Sequence, residues 1–170
     1  MIYMVEMALI ASDRRVEWDA WYRSHMHKLI SIPGIRATQR FESLSESASP
    51  FVALHQVDSP DVFTSEAYRS KAGPGGTGEW QHLMNNWYRN VFDGVAETPD
   101  VRLEGALVVV EDGADAGTVP LRWMHSVGLD RSSERRAIGV VARLADATPL
   151  IGRKGVRVCK PLTPRLVEAG

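Results

Sequence analysis

The stretch Trp18–Ile35, WDAWYRSHMHKLISIPGI, decides how the rest of the chain is read. At 100° per residue, Trp18, Trp21, Tyr22, His25, Leu29 and Ile32 fall on one stripe of a helix, and Pro33-Gly34 then stops it and turns the chain. Such a stripe is a buried face, yet an ionisable imidazole sits at its centre. His27, nine residues beyond Trp18, falls on the opposite, solvent side. His25 is therefore either a hydrogen-bonded core residue or a proton-transfer group lining a cavity. The function turns on which.

Working outward, Ile2–Ile10 reads as a strand, with Val5, Met7 and Leu9 on one face and Met4, Glu6 and Ala8 on the other. Ser12 or Asp13 can cap the helix, which is expected from about Arg14 to Ser31. Arg36–Ser43 and Phe51–Asp58 alternate as two further strands, and Ser59-Pro60-Asp61 opens a short helix to about Lys71. A glycine-rich loop, Gly73–Gly78, and a helical turn over Glu79–Asn85 lead to a fourth strand, Trp87–Asp93. The order βαββαβ predicts an α+β fold: a ferredoxin-like unit over residues 1–98. One sheet face packs on the helices; the other, still apolar, demands a second sheet. The two sheets would close an α/β barrel with a cavity inside.

In the second half Val101–Glu111, Leu121–Leu129, Arg136–Leu144 and Gly155–Leu162 read as strands. Residues 99–170 are either a degenerate second ferredoxin-like unit or a barrel-closing extension, with the barrel then completed by another copy of the chain. Of 170 residues, 20 are basic and 21 acidic, for a net charge of −1. With no basic stripe, nucleic acid and anionic membrane surfaces are excluded as expected partners. The apolar runs, such as Ala106–Val110, are strand-sized and too short to span a membrane. MIYMVEMALI lacks the marks of a secretory leader, so a cytoplasmic protein is expected. The single Cys159 has no internal disulfide partner and reads as a buried structural thiol.

The runs WDAWYRSHMHKLISIPGIRATQRF, FVALHQVDSPDVFTSEAYRS and NWYRNVFDG resemble the dimeric α/β-barrel superfamily. Within it the chain is most similar to EthD-like and related small-molecule proteins, whose first helix carries a Trp-Tyr, a histidine and a Pro-Gly turn. The resemblance covers roughly residues 1–95. It implies a small-molecule substrate and pairing as a homodimer, but no single reaction. The superfamily includes polyketide cyclases, muconolactone isomerases, cofactor-free quinol monooxygenases and haem-degrading enzymes.

His25 matches the helix histidine of that superfamily, and Tyr22, one turn back, can donate a hydrogen bond to a substrate oxygen or simply pack. His55 shares a strand face with Phe51, Ala53 and Val57, and alternation alone does not say whether that face meets the helices or a cavity. Glu6 is an inward carboxylate that needs a partner; Arg40 and Arg89 are the candidates, and both are also candidate substrate-binding cations. Trp18, Trp21, Trp80 and Trp87 would form an aromatic wall, with His82 and Tyr88 near the mouth of a pocket. The loop GPGGTG is a plain connection or a lid; following a helix and lacking a lysine, it is no phosphate-binding loop.

No metal is expected. His25 and His27 face about 200° apart on a helix, and Glu79 with His82 would need two further ligands. The expected function is a cofactor-independent lyase or isomerase. By acid–base catalysis at His25, Tyr22 and His55 it would dehydrate, isomerise, cyclise or decarboxylate a small carbonyl or hydroxyaromatic compound. The alternatives are a non-catalytic ligand-binding barrel and a haem- or oxygen-dependent monooxygenase.

Overall fold

The first strand, β1 (Ile2–Leu9), divides the molecule into layers by simple alternation. Its Tyr3, Val5 and Met7 face outward to a helical layer, while Ile2 and Met4 face the interior of a barrel. The computed structural model describes residues 1–73 and 76–168. Helix α1 (Arg15–Ile30) follows a single 3₁₀ turn at Ser12–Arg14, and neither Ser12 nor Asp13 caps it with a side chain. The helix ends as expected: Gly34 adopts φ +91°, the left-handed region that a side chain at this position would resist.

Next come β2 (Ile35–Ser43), β3 (Phe51–Val57), α2 (Glu66–Lys71) and β4 (Met84–Asp93). The helix expected from Pro60 is split: Pro60–Thr64 forms a 3₁₀ segment, and Ser65 is extended and caps α2 by accepting from the Tyr68 amide at 3.1 Å. Beyond these lie β5 (Ala106–Glu111), β6 (Arg122–Leu129), β7 (Arg135–Val141), a one-turn α3 (Leu144–Ala147), β8 (Val156–Pro161) and β9 (Leu166–Val167). Neither α3 nor β9 was foreseen; both are too short to show a period.

The strands run β3-β1-β4-β6-β7-β5-β8-β2, and β2 pairs again with β3, so eight antiparallel strands close a barrel within one chain. No second copy is needed to complete it. The first four strands lie in the order β4-β1-β3-β2, and the next four in the equivalent order β8-β5-β7-β6. β9 lies beside the first residues of β2.

The middle of the barrel is filled with apolar side chains. Ile2, Phe41, Leu54, Phe92, Leu107 and Ile138 occupy it with neighbours that leave none of these six exposed. Eight strands enclose a space just wide enough for side chains, and the interior opens only toward one end, where Glu6, Glu111, Arg136 and Arg157 line a polar pocket of about 540 Å³ among the described residues. Cys159 is buried in this core, and burial pushes its thiol up to about 11, as fits a structural residue.

Glu6 also points inward, as expected, but its partners are new. Its two carboxylate oxygens bond Arg136 on β7 and Arg157 on β8. Arg40 stands opposite the outward Ala53, and Arg89 opposite the outward Val5, so neither expected partner is on the face of Glu6.

Candidate functional site

The cavity lies outside the barrel, between the helical layer and the outward faces of β1, β3 and β4, and measures about 370 Å³. It forms there because helix α1 buries a stripe one step round from the expected one. Trp18, Tyr22, Met26 and Leu29 are buried, whereas Trp21 and His25 are only half-buried at its edge. An edge position lets the imidazole open into the gap between helix and sheet.

His25 stacks on Trp21, with ring centres 5.0 Å apart and planes 15° apart, and meets Tyr22 edge-on at 5.9 Å. Its Nδ1 is closed off from solvent and without a hydrogen-bond partner among the described residues. Burial, with Lys28 adding a little, holds the ring well below its ordinary range, at about 4. The imidazole is therefore neutral at physiological pH and has a lone pair to offer.

His55 lies deeper, on β3, and answers the question alternation left: its outward face meets both the helices and the cavity. Its Nδ1 is 2.8 Å from the Thr38 hydroxyl. Burial and then His25 lower it to about 3. Tyr3 packs against the His55 ring at 5.1 Å. Burial raises the Tyr22 hydroxyl to about 12 against the opposing pull of Arg40, and burial with Tyr68 also raises Tyr3. The phenols are hydrogen-bond donors and not proton acceptors at neutral pH.

Of the expected site residues, His25, Tyr22, His55, Trp21, Trp87 and Arg89 line the cavity. The Trp87 indole Nε1, like His25 Nδ1, is closed off from solvent and without a hydrogen-bond partner among the described residues. Arg89 stands at the rim, its guanidinium 3.5 Å from Asp130.

Trp18, Trp80, His82 and Arg40 do not line it. Trp18 is fully buried behind the cavity, under the Arg40 guanidinium at 4.1 Å, and Arg40 bonds Asp19 at 2.5 Å. Trp80 supports Trp21 from behind at 6.0 Å, and His82 is exposed. Glu79, the other half of the metal pair considered above, is bonded to Arg14 at 3.0 Å. Among the described residues no group of three or more His, Cys, Asp or Glu is placed to hold a metal ion.

Tyr3, Tyr68 and Asp130 line the cavity without having been singled out. The alternation of β1 puts Tyr3 with Val5 and Met7, so that signal was present. Asp130 comes from the β6–β7 turn, between Leu129 and Arg131, both at positive φ, and nothing local announces its approach. Gly73 and Thr77 of the glycine-rich loop reach the cavity, while Pro74 and Gly75 lie outside the described residues. No described helix is long and apolar enough to cross a membrane.

Acid stability follows from the two histidines. Above pH 6.5 both are neutral whether the chain is folded or not. Below it the unfolded chain binds protons that the folded one refuses down to about 4 at His25 and about 3 at His55. Stability is expected to fall with pH by up to about 1.4 kcal/mol per unit for each, the two contributing nearly equally above pH 4.5. Urea unfolding between pH 7 and 4.5 checks this: a His55→Asn variant should lose much of the slope, and an unchanged slope overturns it.

No family model and no curated protein sequence matches the chain. Its fold is shared by solved structures. A proposed monooxygenase from Lactobacillus acidophilus superposes with a TM-score of 0.60 at 11% identity, over 99% of this chain and 96% of that one. A second proposed monooxygenase, from Fusobacterium nucleatum, gives 0.60 at 8%, over 99% and 95%. An anthrone oxidase-like protein gives 0.57 at 6%, over 99% and 93%. At such identities the likeness is one of fold. The chain shares with them an α+β-barrel fold, here closed by its own two halves, and these three structures do not extend the likeness to an EthD-like subtype.

Proposed function

We propose that this chain is a cofactor-independent enzyme that removes a proton from a small, flat carbonyl or hydroxyaromatic compound, with His25 as the base. One observation carries the reading: a neutral imidazole whose Nδ1 has no hydrogen-bond partner among the described residues lines a cavity walled by Trp21, Tyr22, Tyr68 and Trp87. Core histidines have their nitrogens bonded; this one is held by stacking alone. A planar apolar ligand suits the aromatic walls, and Tyr22 and Trp87 donate to its oxygen. The proton taken by His25 makes an imidazolium of low pKa, a strong acid ready to return it at a second carbon, which is isomerisation, or to a departing hydroxide, which is dehydration.

The names of the fold neighbours favour a second fate for the same carbanion: attack on dioxygen, forming a C–O bond, with the proton returned to give a hydroperoxide. The reading also treats residues 1–98 and 99–170 as two units of one barrel, and an EthD-like origin and a homodimer remain part of it.

The test is proton NMR of 2-tetralone and related aryl ketones and phenols in D₂O with the purified protein. Exchange of the acidic C–H above the uncatalysed rate supports the base. Exchange with oxygen uptake selects the second fate. Binding of these compounds without exchange would leave a ligand-binding protein and overturn the enzyme.

A further inference from the structure

Resting on the reading of His25 as base, we infer that His55 is the matching electrophile, held by Thr38 in the tautomer that donates Nε2–H to the substrate's carbonyl oxygen. Thr38 and His55 stand directly opposite each other on β2 and β3, so the sheet itself sets their approach. The Thr38 hydroxyl is shut off from solvent, and its only hydrogen bond among the described residues is the one of 2.8 Å to His55 Nδ1. A buried hydroxyl must place its proton on an acceptor, and Nδ1 is the acceptor within reach. Nδ1 therefore carries a lone pair and Nε2 carries the hydrogen. On its other side His55 is paired across β1 with Tyr3, whose ring packs on it at 5.1 Å. The ring is clamped from both neighbouring strands, and Nε2, with no hydrogen-bond partner among the described residues, is left to the cavity that His55 lines.

The two histidines then divide the work. His25 offers a free lone pair, and His55 offers a fixed N–H. A neutral imidazole donor suits an enolate: proton transfer to the oxygen does not outrun proton removal from carbon, and the donor costs no reorganisation as charge develops. This narrows the substrate to compounds whose acidic C–H is adjacent to a carbonyl, so that carbon and oxygen reach the two rings together. Thr38 touches no substrate and is a positioning residue.

The experiment is long-range ¹H–¹⁵N NMR of the histidine rings in the ligand-free protein, in the wild type, Thr38→Val and Thr38→Ser. The wild type is expected to show His55 in the Nε2–H form. Thr38→Val, of the same shape but without the hydroxyl, should convert it to the Nδ1–H form or a mixture, and Thr38→Ser should restore it. In D₂O exchange of 2-tetralone, Thr38→Val should lose on the order of 10-fold in kcat at similar KM, and His55→Phe about 10²–10³-fold.

A wild-type His55 in the Nδ1–H form overturns the inference even if Thr38→Val fails to fold. So does a tautomer unmoved in a folded Thr38→Val. These spectra need no substrate, so they fail or succeed separately from the His25 reading. An Nδ1–H tautomer with proton exchange intact would sink His55 alone. An Nε2–H tautomer with no exchange on any ketone would sink the base and the electrophilic role with it.

Discussion

Changing Glu6 to Gln is expected to destabilise the folded chain by about 3–5 kcal/mol. The carboxylate is inside the barrel with only 3% of the residue exposed, and one guanidinium bonds each of its oxygens. Burial alone would raise its pKa, but Arg157 and Arg136 outweigh burial and hold it below the usual carboxylate range. The amide keeps the shape and removes the charge, leaving two guanidinium groups facing each other in a poorly solvated site. Arg136 retains Glu111 at 2.9 Å, whereas Arg157 retains, among the described residues, only the Ser49 carbonyl at 3.3 Å. Arg157 is therefore the cation left in deficit. Adding Arg157→Met to Glu6→Leu should recover most of the loss, because a buried ion pair and a packed apolar pair are often near equal. Urea unfolding of the three proteins decides it. A loss under about 1 kcal/mol for Glu6→Gln would mean that water solvates the cluster and that it does not bind the two halves together.

The second large effect falls on turnover. His25→Ala is expected to lower the rate of proton exchange by about 10²–10⁴-fold, the usual worth of one positioned acid–base group. Because the ring lies at the edge of the helix–sheet interface and is only half-buried, the fold should survive, with far-UV dichroism unchanged. His25→Gln refills the volume without a basic nitrogen, so it should bind 2-tetralone like the wild type yet lack the rate. Either variant turning over at the wild-type rate removes His25 from the mechanism. The pH profile gives a second readout. With its pKa lowered to about 4, mainly by burial, His25 should keep the rate level from pH 8 down to about 5. A free imidazole would lose it near 6.5.

Several site residues were legible because their signals are local. The Trp-Tyr-His spacing in Trp18–Ile35 placed Trp21, Tyr22 and His25 on one side of a helix, and that side does meet the cavity. The helical reading misjudged the centre of the stripe by one step, since Met26 belongs to it and His25 flanks it. Apolar identity alone does not distinguish the middle of a buried face from its edge. That distinction depends on how far the sheet extends beneath the helix. Trp80 and Trp18 were placed in the wall for their chemistry and sit behind it for the same reason: large aromatics fill whichever gap the neighbouring layer leaves.

By itself the sequence determined the strand and helix periods, the βαββαβ order of the first half, the inward Glu6 and the strand face that His55 shares with Phe51, Ala53 and Val57. Each follows from covalent geometry, which repeats at 2 residues in a strand and 3.6 in a helix. Tertiary structure alone decided the rest. It closed the barrel within one chain, packed its middle with apolar side chains and opened an aromatic-walled cavity on the outer face. It also brought Arg136, Arg157 and Asp130 from the second half to residues of the first. Those outcomes depend on which strand edges meet and on volumes summed over distant segments. A local pattern carries neither, because an arginine on β7 looks the same in sequence whether or not a buried carboxylate waits across the barrel.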